Sequence, residues 1–80
     1  MFSEHDIVIL TDTVKGDEGA NLLPGDVGCI VHVHSNAAAY VVEFVALDGE
    51  TVDIATVRAE QVRPVTARDM MHARETVPAR

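Results

Sequence analysis

The chain has no tryptophan, one tyrosine, two phenylalanines, one cysteine and one lysine among its 80 residues. With only Phe2, Tyr40 and Phe44 available, no aromatic platform for stacking bases or sugars can be assembled, and the core has to be largely aliphatic. Cys29 alone cannot staple the chain; it reads as a small hydrophobe on the inward face of a strand in a reducing compartment, not as a nucleophile. Positive charge is scarce: Lys15 stands apart from the arginines at 58, 63, 68, 74 and 80, and the net charge is −7. Phosphate recognition draws on clustered Lys and Arg, so nucleic acid is excluded as the expected partner. No apolar run approaches the ~20 residues that span a bilayer. The stretch from Met1 to Asp6 has neither the basic nor the apolar region of a secretion signal, so a cytoplasmic location without membrane attachment is expected.

What is present favours sheet. Hydrophobic residues make up 48% of the chain, rich in Val and Ile, which suit a pleated half-buried surface. Asp6-Ile7-Val8-Ile9-Leu10 is a short β-branched run and predicts a first strand, followed by a polar, acidic surface loop over Thr11–Leu22. Leu23-Pro24-Gly25-Asp26-Val27-Gly28 is a turn running into a strand, with Gly25 free to take a positive φ and Gly28 leaving room for a close neighbour. The second strand is expected over Val27–His34, with Cys29, Val31 and Val33 inward and Gly28, Ile30, His32 and His34 outward.

Ser35-Asn36-Ala37 predicts a turn into a third strand whose register follows from Glu43 facing water, which turns Tyr40, Val42 and Phe44 to the core. Asp48-Gly49 marks a hairpin, and the fourth strand, Thr51–Val57, is expected to bury Val52 and Ile54 and expose Asp53. Arg58–Gln61 fits one helical turn, and Val62–Val65 a last strand kept at an edge by the missing donor of Pro64. The tail from Thr66, including Met70, Met71 and His72, is expected to be a short helix or disordered. The fold class is therefore all-β: a small five-stranded SH3-like barrel over residues 1–65 with a tail over 66–80.

The ordered set of the 6–10 strand, the Pro-Gly-Asp-Val-Gly loop at 24–28, Tyr40-Val41-Val42-Glu43-Phe44, Leu47-Asp48-Gly49-Glu50-Thr51 and Gln61-Val62-Arg63-Pro64-Val65 resembles a family of short prokaryotic proteins of unknown function. More distantly it is similar to the C-terminal barrel of the nitrile hydratase β subunit. The resemblance implies a fold and little else, since that enzyme carries its metal on the other subunit and this chain has no cysteine cluster.

His32 and His34, two apart on one face, form a candidate metal pair, with Glu43 or Asp53 as an oxygen ligand from a neighbouring strand. The bland alternative is two exposed histidines on a wet strand. The carboxylates form no evident catalytic pair, and the glycines at 25 and 28 precede a strand where a dinucleotide loop would precede a helix. No cofactor and no enzymatic activity are expected. Asp12, Asp17, Glu18, Val41, Glu43, Val45 and Asp53 are the candidate partner-contacting residues, with Val41, Val45 and Ala55 making an outer apolar area through which a homodimer could form. The expected function is a protein-binding module, such as an acidic inhibitor or antitoxin-like neutraliser of a basic protein. An accessory subunit resembling a detached nitrile hydratase β barrel, or a weak metal-binding barrel, is the alternative.

Overall fold

Apolar, β-branched runs separated by turn-forming residues fold into an antiparallel sheet in the computed structural model, which describes residues 2–46 and 50–69. The strands are β1 (Ile7–Leu10), β2 (Val14–Lys15), β3 (Asn21–Leu22), β4 (Val27–Val33), β5 (Tyr40–Val45), β6 (Thr51–Val57) and β7 (Val62–Pro64). Five of them form one sheet in the order β6-β5-β4-β1-β7, while β2 and β3 pair as a separate ribbon. The protein is therefore all-β and barrel-like. The loop expected over Thr11–Leu22 contains this small hairpin, whose Leu22 enters the core. Pro64 sits in the edge strand β7, where its missing N–H breaks no ladder. The Asp48-Gly49 turn and Met70, Met71 and His72 lie outside the described residues.

The core is built from Val8, Leu10, Leu22, Ile30, Tyr40, Val42, Phe44, Ala55, Val57 and Val62. Burying each larger aliphatic or aromatic side chain contributes about 1.5–3 kcal/mol, which is what holds a sheet this small. Tyr40 and Phe44 are its largest buried members, and Phe2 packs edge-on against Tyr40 with ring centres 5.5 Å apart. The N-terminal segment joins the sheet through His5 N–H, which donates to Ile30 O at 2.7 Å, and Ile30 N–H, which donates to Asp6 O at 2.9 Å.

Two expectations of register are overturned. In β4 it is Gly28 and Ile30 that face the core, while Cys29 is half-buried and Val31 exposed on the outer side. An extra residue at Val31, between the pairs Ile30↔Val42 and His32↔Val41, then returns Val33 to the inside. A bulge defeats simple alternation because it places successive residues on one face and bends the strand. In β6 the expected faces are exchanged: Val52 and Ile54 point outward, and Asp53 and Ala55 point inward. A second bulge, between the pairs Phe44↔Asp53 and Val45↔Thr51, leaves Val52 as the extra residue. Ala55 thus belongs to the core and not to the outer apolar area.

Gly25 has the positive φ of 100° that its turn demands. A side chain at Gly28 would run into Val42 Cγ1, with Glu43 O and Phe44 Cδ1 each 3.0 Å away, so the close approach is made by β5.

Candidate functional site

Asp53 is the one buried charged residue among those described, at 4% exposure, and its position in β6 aims it beneath the β2–β3 hairpin. Its carboxylate accepts the backbone N–H of Ile54 at 2.7 Å, of Ala20 at 3.1 Å, and of Glu18 at 3.1 Å to both oxygens. Burial works against the ionised form, but the N–H groups of Ile54, Ala20 and Glu18 outweigh it and hold the carboxyl below its ordinary value. Asp17 N–H adds a bond to Ile54 O at 2.8 Å, so the hairpin is tied to the edge of β6 at two levels. Asp53 is thus an internal clamp, which removes it from the partner-contacting set and from any ligand set shared with the outward His32 and His34.

The clamp fixes where the other acidic residues stand. Asp17 and Glu18 are exposed beside β6 and, with Thr51, Val52, Asp53 and Ile54, line a shallow depression of about 260 Å³. Asp12 is exposed ahead of β2, its carboxylate accepting Thr13 N–H at 2.8 Å.

The outer side of the sheet is the site the sequence half revealed. Cross-strand pairing places Ile7, Cys29, Glu43 and Ile54 in one row across β1, β4, β5 and β6. Val27, Val31, Val45 and Val52 surround the row, and Ile7, Val27, Val31, Val45, Val52 and Ile54 are all between 38% and 52% exposed. Scattered exposed aliphatics are ordinary; here six of them share one side of the sheet. Val41 and Glu43 are half-buried on this face and Val45 exposed, as expected. Ile7 and Val27 were not assigned to this face, and Val31, Val52 and Ile54 were expected inside: the Val52-Asp53-Ile54 alternation points its valine and isoleucine inward if the charge faces water, and the bulge at Val31 is not visible in the sequence.

Glu43 is the charge at the centre of that row. Its Oε2 accepts the Thr51 hydroxyl at 2.6 Å. The arginines near the sheet are engaged elsewhere: Arg58 with Glu60 at 3.2 Å, and Arg63 with Asp69 at 2.9 Å through a two-pronged contact. Among the described residues no cation pairs with Glu43.

The His32 and His34 rings lie edge to face, 5.0 Å between centres. Among the described residues no group of three or more His, Cys, Asp or Glu side chains is placed to hold a metal ion. No helix among the described residues is long and apolar enough to cross a membrane.

Fold and site together define an all-β domain with an aliphatic, acid-centred outer sheet face. The chain belongs to the DUF4926 family, a domain of unknown function, whose model matches residues 4–64. That match ends at the last residue of β7, leaving the tail outside it. No curated protein and no solved structure matches the chain.

Proposed function

We propose that this chain is a small SH3-like barrel acting as a non-enzymatic protein-binding module, an acidic neutraliser of a basic protein in the cytoplasm. The observation that carries the reading is the outer sheet face, where exposed aliphatic side chains surround a carboxylate that pairs with no cation among the described residues. A net charge of −7 adds long-range attraction for a basic partner and speeds encounter at low salt. The five-stranded antiparallel sheet and the 3₁₀ turn at Ala59–Gln61 before the last strand support the SH3-like assignment.

Affinity capture from the native host at low and high salt tests this reading. A basic protein retained at low salt and weakened at high salt is the expected result. Recovery of no partner at either salt concentration would remove the proposal, and co-purification with a larger metal-bearing subunit would replace it with an accessory role of the nitrile hydratase β kind.

A further inference from the structure

We infer that the Ile7-Cys29-Glu43-Ile54 row is the docking surface itself, and that it receives a partner segment presenting one Arg or Lys between aliphatic side chains. The inference rests on the protein-binding reading and adds to it the contact residues and the chemistry of what they contact.

Three observations lead there. The row crosses four adjacent strands of a continuous sheet, so its side chains are fixed relative to one another by backbone pairing and not by a mobile loop. Its flanks are aliphatic: Val27 and Val45 bound one depression, and Val52 and Ile54 another. At its centre Glu43 is half-buried and held by the Thr51 hydroxyl, which leaves acceptor capacity on a carboxylate of fixed position.

An aliphatic surface alone would accept any apolar segment. A carboxylate inside it selects, because covering Glu43 with an apolar group strips its water and returns nothing, whereas a guanidinium or ammonium replaces that water with a charge-assisted bond. Asp17 and Glu18, beside Ile54, extend the same sign of charge to the rim. A second copy of the chain fits poorly here. Two such faces would bring like charges together, and each carries −7 overall.

The test places a photo-crosslinking side chain at exposed Thr56, which pairs with Val41 at the rim of the face, and in a separate control at exposed Ser35 on the β4–β5 turn. Each labelled chain is irradiated in native-host extract, and the crosslinked peptide is sequenced. The expected result is a crosslink from Thr56 to a segment holding Arg or Lys between aliphatic residues. Its yield should fall at least about tenfold in Glu43→Gln and in Ile54→Lys, while both variants keep the wild-type melting temperature.

A crosslink from Thr56 to another copy of this chain, or to an acidic or wholly apolar segment, would overturn the inference. So would a yield unchanged in Glu43→Gln. Capture from Ser35 with none from Thr56 would overturn the surface assignment yet leave the protein-binding reading standing. Capture from neither position would end both.

Discussion

The position a side chain at Gly16 would take is already filled by the carboxylate of Asp53. The two residues are far apart in sequence and meet because Gly16 opens the turn whose N–H groups the carboxylate accepts. Gly16 N–H donates to Ala20 O at 2.9 Å, and Gly19 N–H returns to Gly16 O at 3.0 Å, so the turn closes around the anion.

Gly16→Ala is expected to destabilise the fold by about 1–3 kcal/mol, the range for forcing extra volume into a packed site. Gly19→Ala meets open space but has a φ of +95°, so its penalty is torsional, about 1–2 kcal/mol. Urea unfolding separates the two through the partner. Combining each with Asp53→Ala, which removes the carboxylate but keeps a Cβ 2.9 Å from the new side chain, should relieve part of Gly16→Ala and leave Gly19→Ala unrelieved. Equal behaviour of the two double variants would contradict the packing account.

Asp53→Asn keeps the shape of the side chain but turns one acceptor into a donor facing backbone N–H groups. A fall of about 10 °C in Tm is expected, since a buried donor left without an acceptor is costly to fold around. Hydrogen exchange should locate the loss: the amides of Glu18 and Ala20 become faster first, ahead of those in β4 and β5.

The clamp also makes stability depend on pH. The folded pKa of Asp53 lies below its ordinary value of 3.8, so the native state binds the proton less readily than the unfolded chain does. The stabilisation is therefore complete above the unfolded value and is lost as pH falls through the lower, folded one. Urea midpoints of wild type and Asp53→Asn should differ most at neutral pH and converge in strong acid. Asp69 is held well below its ordinary value by the Arg63 guanidinium and by Thr66, so its contribution too is lost only in acid. A gap between the two proteins that persists unchanged into strong acid would refute the assignment.

Gly28→Ala should overpack the core against Val42, destabilising by about 1–3 kcal/mol. Val42→Ala opens space at the same spot, so the double variant should be more stable than the sum of the single effects requires. A double-mutant cycle measures this, and a coupling near zero would mean the contact is relieved elsewhere.

Local chemistry determined much of this fold in advance. The inward set of Tyr40, Val42 and Phe44, the positive φ of Gly25, the turn before β7 and the edge position of Pro64 each follow from a residue's own torsional or hydrogen-bonding limits, or from alternation with a charged neighbour. Tertiary structure alone decided the faces of β4 and β6. In β4 the bulge at Val31 breaks the alternation, and in β6 the Val52-Asp53-Ile54 alternation is present but inverted, with the charge inside and a bulge at Val52. Asp53 could be turned inward only because N–H donors at Glu18 and Ala20, 35 and 33 residues away in sequence, are delivered to it by the folded hairpin. A charge faces water by default, and a long-range contact that satisfies its hydrogen bonds is what reverses that rule.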